Sequence, residues 1–202
     1  MKHDLHTGHR RRHPPAMKIH HKESGAIASI STALTSLIGS SSSSLAIVCV
    51  GTDRSTGDSL GPLVGSAICE AGVAADVYGT LDEPIHAVNL ADTMSNLPTY
   101  DCVLAIDACL GYSEDIGFIF VHNKAVKPGS GVNKILPAVG NLCITGAVNV
   151  MGFMEHNVLQ NTRLSLVMRM SRVISNAILE SVGIRAHKKA AVSDNNQEKG
   201  GG

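Results

Sequence analysis

The stretch LAIVCVGTDRSTGDSLGPLVGSAICEAG, residues 45–72, decides the fold. Leu45 to Val50 is a short unbroken apolar run rich in β-branched residues, the pattern of a strand buried on both faces of a parallel sheet. After a glycine-containing loop, Leu60, Leu63, Val64, Ala67, Ile68 and Ala71 fall on one helical stripe, with Pro62 in the first turn and Gly72 as the stop. Strand, loop and amphipathic helix in that order put the loop at the carboxyl edge of the sheet, where open α/β folds bind ligands.

The same grammar extends both ways. Upstream, Glu23 to Ile38 has helical periodicity and the run Ser40 to Ser44 breaks it. Downstream, strands are expected over Ala75–Leu81, Asp101–Ile106, Phe118–His122 and Leu142–Val148, with a helix around Ile85–Met94. A last helix over Thr162–Val182 carries Leu166, Val167, Met170, Val173, Ile174, Ala177 and Ile178, and Gly183 reads as its cap. Alternating strands and helices predict an α/β fold, a three-layer sandwich with a mostly parallel central sheet. The domain is expected over residues 23–184, between a disordered basic, His-rich tail at 1–22 and a second disordered tail at 185–202.

Composition narrows the function classes. The 202 residues are 44% hydrophobic but only 3% aromatic, with no Trp, so stacking platforms for nucleic-acid bases are scarce. No run approaches the roughly 20 apolar residues of a membrane span, and a cytoplasmic protein is expected. Five cysteines without a C-x-x-C pair indicate neither a disulfide framework nor a zinc site. The net charge of zero hides a division: residues 23–184 carry 7 basic and 14 acidic residues, while both tails are basic. An acidic body suits a basic protein or peptide partner.

The loop after the first strand is not a phosphate cradle. A P-loop needs four residues between its glycines and then Lys-Ser or Lys-Thr, whereas five separate Gly51 from Gly57 and Asp58 stands where the cation belongs. What the loop offers is carboxylate. Asp53 and Asp58 lie in it, Asp82 and Glu83 follow the second strand, and Asp107 ends the third. If the second and third strands flank the first, Asp58 and Asp107 share one crevice, where like charges raise the pKa of one acid and divide the pair into acid and base. The same pair can instead hold a divalent cation, and Asp58 can simply cap the following helix. Cys109 with His86 or His122 is a further nucleophile–base pairing.

Residues 51–65, 78–87 (YGTLDEPIHA), 105–109 (AIDAC), 127–132 (KPGSGV) and 160–168 (QNTRLSLVM) together resemble the YyaC-type sporulation proteins of endospore-forming bacteria. That family is similar to the spore germination protease, which degrades small acid-soluble spore proteins, and more distantly to hydrogenase maturation peptidases. The resemblance implies a hydrogenase maturation peptidase-like fold, work in the cytoplasm of the developing spore, and two catalytic aspartates. By motif these land on Asp58, in Asp58-Ser59-Leu60-Gly61-Pro62, and on Asp107, in Ile106-Asp107-Ala108. Hydrogenase maturation peptidases bind nickel through two carboxylates and a His, but residues 142–153 contain no His, so neither metal nor other cofactor is expected. Asp53, Gly57 and Asp82 are the expected substrate contacts, with amides of the Gly57 turn as oxyanion donors. Two functions follow as expectations: a peptidase using the aspartate pair, or a non-catalytic sporulation protein that binds a peptide in the same crevice.

Overall fold

A computed structural model describes residues 14–128 and 136–197, with side chains as far as Gly183; part of the KPGSGV motif lies outside the described residues. One six-stranded sheet has the order β1-β5-β6-β4-β2-β3. Its strands are β1 (Met17–His20), β2 (Leu45–Cys49), β3 (Asp76–Tyr78), β4 (Cys102–Gly111), β5 (Phe118–His122) and β6 (Leu142–Val150). β2 pairs in parallel with β3 and with β4, and β4 with β6; β5 alone runs against its neighbours. The helices are α1 (Ala26–Ile38), α2 (Leu60–Glu70), α3 (Leu90–Asn96), α4 (Glu155–Gln160) and α5 (Leu164–Gln197).

Side-chain alternation along the central strands builds two cores. Ile47 and Cys49 of β2, Leu104 and Ile106 of β4, and Leu142 and Ile144 of β6 face α1, α2 and α5, which pack on one another over that side. Val48, Ala105 and Cys143 face the other way, against Leu90 of α3 and Val139. The helices supply matching stripes: Ala26, Ile30, Leu34 and Ile38 of α1, and Leu60, Val64 and Ile68 of α2, are buried. Two layers of cover on a mostly parallel sheet make the expected sandwich. The serine run between α1 and β2 also does work that its composition did not announce. Asp101 accepts the Ser43 hydroxyl and the amides of Ser43 and Ser44, the amides at 2.7 and 3.0 Å, which clips the starts of β2 and β4 together and holds the Asp101 carboxyl at about 2.

The inner boundaries of both expected tails move, while residues 1–13 and 198–202 lie outside the described residues. Residues 17–20 form β1 on the outer side of β5, with Ile19 buried and His21 just after it donating from Nδ1 to the Gly117 carbonyl oxygen at 2.9 Å. Four residues in a basic, His-rich setting carry too weak an alternation to announce a strand; β5, about 100 positions away, provides the partner. At the other end α5 runs to Gln197 instead of stopping at Gly183. Arg185, Ala186, Lys188, Lys189, Ala190 and Ala191 are strong helix formers, so the helix absorbs the roughly 1 kcal/mol cost of an interior glycine.

His21 makes the docking of β1 pH-sensitive. Burial lowers its pKa, and the positive charges of His20, Lys22 and Arg169 lower it further, although the Gly117 carbonyl opposes them. The folded chain therefore resists protonation that the unfolded chain accepts near the ordinary histidine value of about 6.5. Stability from neutral His21 is complete above that value and is lost as pH falls below it. Urea unfolding at pH 7.5 and 5.5 should show this loss in the wild type and a smaller one in His21→Gln; equal losses would remove His21 as the cause.

Candidate active site

The site is built where β2 ends. Gly51 donates its amide to Ile85 O at 2.7 Å, and Val50 bridges Ile85 in parallel, so the segment after β3 is drawn alongside the exit of β2. The chain then loops outward and returns: the Thr52 amide reaches Asp58 O at 3.2 Å, closing residues 52–58 into a compact turn. On the other side of β2, the Val50 amide donates to Ile106 O at 2.8 Å, so Asp107 is the next residue of β4 beyond the paired stretch. In the alternation of β4, Asp107 follows Val103 and Ala105 onto the α3 face of the sheet. Asp58 and Asp107 thus share the carboxyl edge at the β2 exit, near enough for the charge of Asp58 to act on Asp107.

Their electrostatics are coupled. Burial is the main cause that pushes the Asp107 carboxyl well above the usual carboxylate range, and the charge of Asp58 adds to it, against the opposing Ala108 amide. Burial also raises Asp58, but Asp58 has helpers that favour its ionised form: the Ser55 hydroxyl and the charge of His156. Ser55 is buried, and its hydroxyl lies beside the carboxylate as the donor that favours its ionised form. The pair is asymmetric in consequence. Asp107 holds a proton more readily, and Asp58 carries the charge.

Asp53 lies in the turn that carries Asp58 and Asp82 follows β3; both are exposed, and neither is among the charges acting on the pair. The Gly57 amide donates to Leu159 O at 2.8 Å and is committed to the fold; a Cβ there would lie 2.8 Å from Leu159 Cδ2, so this glycine seats α4 against the loop. Asp58 supplies no side-chain cap to α2, whose N-cap is Ser59. His122 closes β5 opposite Cys143, at the amino end of β6, so it sits at the far edge of the sheet from Cys109. His86 lies in the loop between β3 and α3, where its Nδ1 accepts the Val88 amide at 3.3 Å.

His156 was invisible in the sequence as a neighbour of Asp58. It arrives through α4, which begins at Met154, a non-glycine residue with φ of 59°. Asn149 at the end of β6 ties this helix down, donating to Val158 O at 3.0 Å and to Thr162 Oγ1 at 3.2 Å. The turn before α4 leaves Phe153 91% exposed and Met154 58% exposed, beside Val150 at 41%, an apolar rim on the β6 flank of the crevice.

A family profile described as "Protein of unknown function (DUF1256)" matches residues 18–177. The chain belongs to the DUF1256 family. The DUF1256 region takes in β1 from Lys18, both aspartates and α5 as far as Ala177. YyaC of Bacillus subtilis (strain 168), described as an uncharacterized protein, is 46% identical over 165 residues, spanning 79% of this chain and 80% of YyaC. Among solved structures, the crystal structure of a NiFe hydrogenase maturation protease, HycI from Thermococcus kodakarensis KOD1, is similar with a TM-score of 0.49 and 15% identity, over 73% of this chain and 99% of that one. Although His156 acts on Asp58, among the described residues no three His, Cys, Asp or Glu side chains close into a group able to hold a metal ion.

Proposed function

We propose that this protein is a sporulation-associated peptidase that hydrolyses a protein or peptide with Asp58 and Asp107, in the cytoplasm of the developing spore. The observation that carries the reading is the asymmetric coupling of the pair, with Asp107 raised by burial and by the charge of Asp58. Asp58 then removes a proton from water as the water oxygen attacks the scissile carbonyl carbon, and Asp107 gives its proton to the departing amide nitrogen as the C–N bond breaks. Transfer of the proton from Asp58 to Asp107 restores the starting state. The resemblance to spore proteins supplies the compartment, and the acidic body favours a basic substrate.

The test is a comparison of protein N-termini in sporulating cells with and without the protein. New N-termini that depend on the wild-type chain, and that Asp58→Asn does not restore, are the expected result. No dependent N-termini would remove the peptidase reading. The exposed rim of Val150, Phe153 and Met154 favours a second reading, a non-catalytic protein that binds a peptide in the crevice. Under that reading Asp58→Asn still supports sporulation.

The pH profile has a defined sign. Activity falls on the acid side as Asp58 takes up a proton and on the alkaline side as Asp107 loses one, and both values are raised from the ordinary carboxylate range. The optimum should therefore sit above that range, and a chelator should leave it unchanged. An optimum at or below pH 4, where both free carboxyls ordinarily titrate, would contradict the assignment.

A further inference from the structure

Beyond the end of β3 lies a cavity of about 440 Å³ that the aspartate pair does not use, lined by Tyr78, Thr80, Glu83, His86, Asn89 and Thr93 among others. We propose that it is the pocket for a lysine or arginine side chain of the substrate, a specificity site that rests on the peptidase reading given above. Its walls are preformed. The Asn89 side chain accepts the His86 amide at 2.8 Å and donates to Pro84 O at 3.0 Å, so one residue pins both ends of the loop that forms the floor. The turn opposite is closed by Thr80, whose amide donates to Glu83 O at 3.1 Å and whose hydroxyl accepts the Glu83 amide at 3.1 Å. That turn carries the carboxylate of Glu83 into the lining.

The chemistry of the walls selects the occupant. Glu83 is the one anionic group in the lining, and no Lys or Arg shares it. His86 accepts the Val88 amide through Nδ1 at 3.3 Å, which leaves Nε2 as the ring's free polar atom at the lining. Tyr78 and Ile85 supply apolar wall for the methylene stem of a long basic side chain, as such stems require. An acidic ligand would meet Glu83 with like charge, and a short apolar one would offer the carboxylate no ion partner.

Topology sets where this pocket lies along a substrate. Across the carboxyl edge the order is β4 with Asp107, the β2 exit with Asp58, and then the cavity beyond β3. β4 and β3 are two strand spacings apart, roughly 10 Å, and an extended chain advances about 3.3 Å per residue. A peptide crossing the edge therefore places its basic side chain two or three residues from the scissile bond.

The experiment uses the full-length protein labelled with nitrogen-15 and titrated with Nα-acetyl-arginine methylamide, with norleucine and glutamate counterparts as controls. Expected are amide shifts at Thr80, Glu83, His86, Asn89 and Thr93 with the arginine probe alone, and about fivefold to tenfold weaker binding to a folded Glu83→Gln variant. An equal response to norleucine, or undiminished arginine binding in Glu83→Gln, overturns the pocket. The titration needs no cleavage, so it stands if the peptidase reading fails. Conversely, substrates cut without any basic residue within three positions of the cleaved bond would overturn the pocket and leave the aspartate pair intact.

Discussion

Asp107→Asn should abolish cleavage and at the same time raise the melting temperature at neutral pH. The first effect follows from removal of the proton donor while shape is kept, a loss of about 10³-fold or more. The second follows from the sign of the shift. Because the folded state holds the Asp107 carboxyl well above its ordinary value, ionisation is easier in the unfolded chain. Above the ordinary carboxylate value the group therefore subtracts stability, and the deficit disappears as pH falls through the raised value. Asparagine carries no such charge, so the variant should gain stability at pH 7 and match the wild type near pH 4. Thermal melts at the two values, beside an activity assay, check both halves. A variant that still cleaves, or that melts lower at pH 7, contradicts the role given to this residue.

Gly65→Ala and Gly79→Ala should be among the most damaging small substitutions outside the pair. A Cβ on Gly65 of α2 would lie 2.0 Å from Gly79 O, and one on Gly79 would lie 2.0 Å from Cys49 O. Three backbones, those of α2, the end of β3 and the end of β2, thus touch without side chains between them. Gly79 also has φ of 91°, in the region that L side chains avoid. Overpacking against rigid backbone, with added strain at Gly79, predicts a cost of about 3 kcal/mol or more for each. Gly183→Ala is the control: nothing lies within 4 Å of its added methyl inside α5, and it should gain up to about 1 kcal/mol. Denaturant titrations of the three variants give the comparison; a Gly65→Ala protein as stable as wild type would show that α2 can shift off the sheet.

How much of this was readable beforehand depends on how local each signal is. β2, its loop and α2 were legible because hydrophobic period, Pro62 and Gly72 lie within 28 consecutive residues. The carboxyl-edge position of Asp58 and Asp107 followed from strand order alone, and β2 does lie between β3 and β4. β4 beyond Asp107 was not legible. The third strand was expected to end at Asp107, yet Ala108 to Gly111 continue it because β6 offers Gly146 through Val150 as partners. The place of His156 was hidden for the same reason: it depends on the left-handed turn at Met154 and on the Gly57–Leu159 bond, neither of which has a local sequence signature. Gly57 itself looked like a ligand-facing glycine because close backbone approach has the same signature whether the approaching group is substrate or another part of the chain.

The attachment of α4 sets an energetic hierarchy within the molecule. This helix has six residues, none fully buried, and is fastened by the Asn149 amide and the Gly57 amide, whereas α1, α2 and α5 are fused to the sheet through continuous apolar stripes. Its hydrogen bonds can open while the sandwich stays intact, so it forms a unit of low local stability on a rigid base. Because His156 rides on that unit, each excursion removes one of the influences that oppose the burial-raised value of Asp58. The environment of the crevice is thereby tied to the breathing of one short helix, and amide exchange of residues 155–160 would report how often that helix opens.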